Sequence, residues 1–129
     1  GEHAATIVNG SPGVLHGCYT LLLQDPHGQV QETQSVSAGL DYAAVGPEHA
    51  FLSQIGRVEY RSASDDAALS ALDALCEAEG ILPAIESSHA LAGARAYGKT
   101  HPGARVLVGL SGRGDKDMAT LLARSGGGA

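Results

Sequence analysis

Apolar residues recur every three or four positions after Ser64, which is the spacing of one face of an α-helix. The apolar stripe consists of Leu69, Leu72, Leu75 and Cys76. Ser64 is a favourable N-cap, and Asp65 and Asp66 place negative charge in the first turn, where the helix dipole favours it. Gly80 suits the left-handed position that ends many helices. The pattern predicts a helix between Ser64 and Gly80.

The rest of the latter two-thirds alternates between strand-like and helix-like segments. Strands are predicted at 57–63 and 105–110, a short extended segment at 81–85, and helices at 47–55, 87–97 and 118–124. The R-V-L-V-G-L run at 105–110 is almost continuously apolar, which is typical of a buried parallel strand. Because strand–helix alternation is the mark of the α/β class, we expect a three-layer sheet with helices on both faces.

The first third has turn chemistry instead of a helical period. Residues 1–17 are expected to be an irregular lead-in, whereas 19–24 and 29–33 have strand composition. The sequence D-P-H-G at 25–28 between them combines a fixed φ with a closing glycine, so a β-hairpin is predicted. A hairpin does not fit a complete doubly wound domain. The chain, 1–129, is therefore interpreted as a single segment of a larger fold.

Composition limits how the core is built. The chain has 129 residues, which suits one domain, and 43% of them are hydrophobic but only 4% aromatic. Such a core must consist of Ala, Leu, Val and Ile. The 18 glycines are about twice the usual share of roughly 7%, and glycine lets the backbone approach a ligand closely.

Charge and cysteine content limit the partners and the compartment. The net charge of −6 and the pI near 5.3 argue against nucleic acid or an anionic membrane as a partner, since both require clustered Lys and Arg. Cys18 and Cys76 lie far apart in unrelated contexts, which favours reduced thiols. No apolar run approaches the roughly 18 residues of a membrane-spanning helix. These features predict a cytoplasmic protein.

The polar loop 111–117, with sequence S-G-R-G-D-K-D, is the best candidate site. It follows a predicted buried strand and precedes a predicted helix, and ligands of α/β sheets bind at the carboxyl ends of strands. The loop has neither the Gly-Lys-Ser/Thr element of a phosphate-binding P-loop nor a dinucleotide-binding motif. The alternative is a tight turn in which Asp117 caps the following helix.

Two acidic residues are further candidates. Glu86 follows an apolar segment, so its carboxylate would be partly buried and would need a partner; alternatively, it only neighbours a capping serine. Asp41 lies in residues 35–46, which follow neither period, and long segments of that kind are usually functional. Its side chain could bind a substrate or only an adjacent backbone amide. Glu48 and His49 lack a second ligand pair at helical spacing, which argues against a zinc site.

Four sequence blocks resemble the tryptophan synthase β chain family. They are S-A-G-L-D-Y at 37–42, V-G-P-E-H-A at 45–50, I-L-P-A-I-E-S-S-H-A at 81–90 and L-S-G-R-G-D-K-D at 110–117. All four stand in the order of the C-terminal part of that family and at close to its spacing. The resemblance runs from about Pro12 to Met118.

This resemblance implies a fold-type II pyridoxal-phosphate enzyme, a lyase that joins indole to the β-carbon of L-serine with release of water. By similarity, Ser111 meets the pyridine nitrogen of the cofactor, with Gly112 beside it, and Glu86 lies next to the ring. A neutral hydroxyl leaves that nitrogen unprotonated, which favours β-elimination over transamination. Asp41 is the acid that reaches the substrate.

The resemblance also implies secondary sites and partners. The backbone carbonyls of Tyr42 and Ala44 fall at the family's monovalent-cation site, which takes sodium or potassium. Leu15 and His16 fall where its indole tunnel is lined. The family pairs with an α chain that supplies indole, and exposed apolar surface on this segment would promote an oligomer.

The family's Schiff-base lysine and its glycine-rich phosphate cradle precede the matching segment. Lys99 and Lys116 correspond to neither, so we expect this segment to bind pyridoxal phosphate poorly and to be inactive without the missing N-terminal part. Two alternatives remain open. One is a stand-alone module that binds a small molecule or an anion without catalysis, and the other is a different fold-type II enzyme, such as a threonine synthase relative.

Overall fold

The computed structural model describes residues 2–126, with side chains described through Arg124. The chain divides into two compact units, Gly1–Ser62 and Ala63–Ala129. No helix among the described residues is both long and apolar enough to cross a membrane.

The first unit contains a two-stranded antiparallel hairpin. Strand β1 (Ser11–Leu15) pairs with β2 (Cys18–Leu22), and the short helix α1 (Thr6–Asn9) precedes them. The connecting residues His16 and Gly17 have φ values of 49° and 79°. Two positive φ values in a two-residue loop match the twist of the strands that the loop joins. The prediction of an irregular lead-in was therefore wrong, because His-Gly is a weaker hairpin signal than Asn-Gly.

The hairpin predicted around D-P-H-G forms only in part. The turn is present, since the N–H of Gly28 donates to the carbonyl of Asp25 at 3.0 Å. Beyond it, Gln24 and Val30 form a single antiparallel bridge. A second strand over 29–33 does not form. The side chain of Asp25 accepts two backbone N–H groups of the turn, which stabilises the turn locally without extending the pairing.

Residues 35–46 contain a short 3₁₀ helix, Ala38–Leu40, and residues 43–45 then run beside β2. The N–H of Leu23 donates to the carbonyl of Ala43 at 2.8 Å, and Leu22 and Ala44 form an antiparallel bridge. Helix α2 (Pro47–Gln54) follows, with Pro in the first turn as predicted. The core of this unit is small and consists of Leu22, Leu23, Ala43 and Ala44.

The second unit is built on two packed helices. Helix α3 (Asp65–Glu79) has the predicted ends: the side chain of Ser64 accepts the N–H of Ala67 at 3.3 Å, and Gly80 has φ 67°. Helix α4 (Ile85–Thr100) packs against α3. The buried residues of the two helices are mostly small or aliphatic: Ala68, Leu69, Ala71, Leu72, Ile85, Ser87, Ser88 and Ala92.

The three-layer sheet is not formed by the described residues. The segments 57–63, 81–85 and 105–110 form no strands, and the sheet of β1 and β2 is the only one in residues 2–126. Leu107, predicted to be buried, is fully exposed. A parallel strand needs neighbours to accept its backbone hydrogen bonds, and none of these segments pairs with another. The structure is a small mixed helix–strand fold, and the three-layer prediction is not supported within it.

Candidate functional site

The candidate loop follows residues 104–110 of the second unit, which form neither helix nor strand. It continues through a 3₁₀ helix, Gly114–Asp117, into α5 (Met118–Gly126). The N–H of Gly114 donates to the carbonyl of Leu82 at 3.2 Å, and a Cβ on this glycine would lie 2.7 Å from Leu82 Cγ. Only glycine permits this approach, which places the loop against the residues that lead into α4.

Ser111 presents a hydroxyl at the start of this loop. The buried Ser87, in the first turn of α4, donates its hydroxyl hydrogen to the backbone carbonyl of Ser111, and the two Oγ atoms are 3.3 Å apart. Because Ser87 commits its hydrogen to the carbonyl, only the Ser111 hydroxyl can donate across the contact between the two Oγ atoms. Ser111 is exposed, so its hydroxyl can also turn to donate to a ligand. Gly112 follows with φ 74°, a conformation that favours glycine. The pair thus offers a neutral hydrogen-bond donor beside a residue without a side chain.

Asp117 anchors the loop to the start of α4. Its Oδ2 accepts the backbone N–H of Ile85 at 3.0 Å, and its side chain is 6% exposed. A carboxylate here satisfies a donor that the helix leaves unpaired and interacts favourably with the helix dipole. Asp117 therefore caps α4, 32 residues away, whereas the tight-turn alternative expected it to cap the helix that follows it.

Lys116 connects two carboxylates beside this cap. Its Nζ lies 2.6 Å from Oδ1 of Asp117, and 2.9 and 3.1 Å from the two carboxylate oxygens of Glu86. The hydrogen bond to Asp117 and then the one to Glu86 raise the pKa of Lys116 above its ordinary value, so the ammonium stays charged. Glu86 has the partner that its position required, and Lys116 is a residue that the sequence reasoning missed as part of this cluster. Glu86 and Lys116 are 30 residues apart in the sequence, so no local pattern indicates that they form an ion pair.

The first unit contains an open cleft of about 460 Å³. Four residues singled out from the sequence line it: Leu15, His16, Asp41 and Tyr42. Nδ1 of His16 lies 2.8 Å from the hydroxyl of Tyr42, and the two rings stack with centroids 5.6 Å apart. The exposed Asp41 follows the 3₁₀ helix directly. The cleft thus combines an acid, an aromatic ring and an imidazole.

The suggested cation ligands lie beside this cleft. Pairing with β2 uses the carbonyl of Ala43 and the N–H of Val45, and so does not involve the carbonyls of Tyr42 and Ala44. Carbonyl oxygens are suitable ligands for hard cations. Among the described residues, no three His, Cys, Asp or Glu side chains are grouped to hold a metal ion.

Comparison with known proteins finds similar sequences that share one name. No family model matches the chain. Proteins named tryptophan synthase beta chain match it: that of Nitrosomonas europaea is 60% identical over 126 residues, that of Leptothrix cholodnii 59% over 127, and that of Streptomyces coelicolor 57% over 121. The matches cover 97%, 98% and 93% of this chain but 32%, 30% and 28% of those proteins.

The chain spans about a third of the length of these curated relatives. Identity this high over almost every residue indicates that the chain corresponds to one segment of a longer protein. The chain belongs, as such a segment, to the tryptophan synthase β chain family, which confirms the resemblance seen in its sequence blocks.

Proposed function

We propose that this chain is the C-terminal part of a pyridoxal-phosphate-dependent β chain that joins indole and L-serine to give L-tryptophan and water. The observation that carries the proposal is the Ser111 hydroxyl. It is exposed at the start of the loop and can donate its hydrogen to a ligand, and the backbone carbonyl of the same residue accepts a hydrogen bond from Ser87 at the start of α4. The named activity of the relatives supports the choice of reaction.

The cofactor, when bound, supplies an electron sink for the carbanion formed at the α-carbon of serine. Ser111 would donate its hydrogen to the pyridine nitrogen, which must then carry no proton of its own; a carboxylate in its place would hold the nitrogen protonated. Glu86 would lie beside the ring, and its charge is compensated by Lys116. Gly112 lets the backbone approach without a side chain. These residues bind and tune the cofactor.

Residues of the first unit serve the substrates in this proposal. Asp41 accepts hydrogen bonds from the substrate, since its exposed carboxylate lines the cleft. Leu15 and His16 border the route of indole. The carbonyls of Tyr42 and Ala44 contribute to a sodium or potassium site. The lysine that binds the cofactor and the phosphate cradle come from the N-terminal part, and an α chain supplies indole, so this segment alone is inactive.

The test uses a hybrid β chain in which this segment replaces the matched 126 residues of the Nitrosomonas europaea protein. The hybrid should show the visible absorption of bound pyridoxal phosphate and form tryptophan from indole and serine. Ser111→Ala should lower kcat about tenfold or more, since a lost hydrogen-bond donor costs about 1–3 kcal/mol. Ser70→Ala, on the exposed face of α3, is the matched control and should leave kcat unchanged.

Two results would contradict the proposal. One is a folded hybrid that binds no pyridoxal phosphate while the unmodified Nitrosomonas europaea chain does. The other is a Ser111→Ala hybrid whose cofactor spectrum and kcat equal those of the Ser70→Ala control.

A further inference from the structure

We propose that Lys116 is a positioning residue for the cofactor site: it fixes the carboxylate of Glu86 and ties it to the anchored Asp117. The inference rests on the proposed function, because Glu86 is the residue placed beside the cofactor ring. It assigns a role to a lysine that is not the Schiff-base residue.

The first argument is the number of contacts. An ammonium group has three hydrogens to donate. Three carboxylate oxygens, two from Glu86 and one from Asp117, lie 2.6–3.1 Å from Lys116 Nζ. All three donors therefore have an acceptor, and contact with both oxygens of Glu86 restricts the rotation of its carboxylate.

The second argument is the difference in mobility among the three side chains. Asp117 is nearly buried and bound to the backbone of Ile85, so it serves as the fixed point. Glu86 is 27% exposed and Lys116 46% exposed, so neither is fixed by burial alone. The lysine transmits the fixed position of Asp117 to Glu86.

The third argument is charge. Without Lys116, Glu86 and Asp117 would be two neighbouring carboxylates that repel each other. Lys116 offsets this repulsion, because its ammonium group pairs with both carboxylates. A positioned Glu86 leaves the pyridine nitrogen to Ser111.

The experiment measures the Kd for pyridoxal phosphate and the visible spectrum of the hybrid holoenzyme. Lys116→Met should raise the Kd about tenfold and change the spectrum, because a charge-assisted partner is lost. Lys116→Arg, which keeps the charge, should restore the spectrum and most of the affinity. Lys99→Met removes the other lysine of this segment, on the exposed end of α4, and should change neither.

A double-mutant cycle separates positioning from general stabilisation. In a Glu86→Gln background, Lys116→Met should change the Kd less than about twofold. An effect of the same size in both backgrounds would overturn the inference, since the lysine would then act through Asp117 or the fold. If Lys116→Met fails to fold, Lys116→Gln takes its place in the cycle.

The outcomes distinguish the two proposals. A hybrid that binds no pyridoxal phosphate refutes both. A hybrid that binds it normally, with Lys116→Met matching Lys99→Met, refutes only the role of Lys116.

Discussion

Asp117→Ala tests whether the loop clamps the start of α4. The substitution removes the acceptor of the Ile85 N–H, and Ile85 is completely buried, so water cannot replace the lost bond. Loss of a capping side chain costs about 1 kcal/mol, and an unsatisfied buried donor costs about 1–3 kcal/mol. These two free-energy costs are not added together, because both concern the same hydrogen bond. We expect the second unit to lose about 2 kcal/mol of unfolding free energy.

Urea unfolding, followed through the amide signals of α3 and α4 by NMR, measures this loss in the unit concerned. Asp115→Ala is the matched control, since Asp115 pairs with the exposed Arg113 on the surface. Exposed pairs contribute about 0–1 kcal/mol, so the control should change little. Asp117→Asn keeps an acceptor and should fall between the two. Equal stability of the Asp117→Ala and Asp115→Ala chains would refute the capping argument.

Two further substitutions test the packing of the second unit. Gly114→Ala should destabilise it by about 1–3 kcal/mol in the same urea assay, because its Cβ would overlap Leu82 and the backbone of Pro83. Gly98→Ala, whose Cβ meets nothing within 4 Å in α4, should instead stabilise by about 0.5–1 kcal/mol; destabilisation by both would show that the close approach is not the cause. Leu72→Ala should cost about 2–5 kcal/mol because Leu72 is buried in α3, whereas Leu107→Ala should cost less than about 0.5 kcal/mol. A large loss from Leu107→Ala would mean that residues 105–110 are buried after all.

Local signals in the sequence were sufficient to predict that the main helices form and where α3 begins and ends. The cap at Ser64 and the left-handed Gly80 set the ends of α3 within a residue, because each end depends on atoms a few positions away. Helix α4 begins at Ile85, earlier than predicted, because its start is stabilised by Asp117 from another part of the chain. No local pattern contains that information.

Strands depend on partners, and this is where prediction from the sequence was wrong. The apolar run 105–110 has the composition of a buried strand but pairs with nothing among residues 2–126. The loop 111–117, Glu86 and Asp41 were selected from the sequence pattern, and the resemblance of short blocks supplied their expected roles. The contacts that organise it, from Ser87 to Ser111 and from Lys116 to Glu86, required the fold. The roles given to the individual site residues remain proposals.

Residues 105–110, which are assigned to neither helix nor strand, carry a further consequence for the behaviour of the chain in concentrated solution. An apolar segment with a fully exposed leucine can pair with a strand that lies alongside it, including the same segment of another copy. Nothing in the segment opposes such addition after Arg105, since V-L-V-G-L has neither charge nor proline. Its exposed edge therefore makes the chain prone to form intermolecular β-structure wherever that edge is left uncovered.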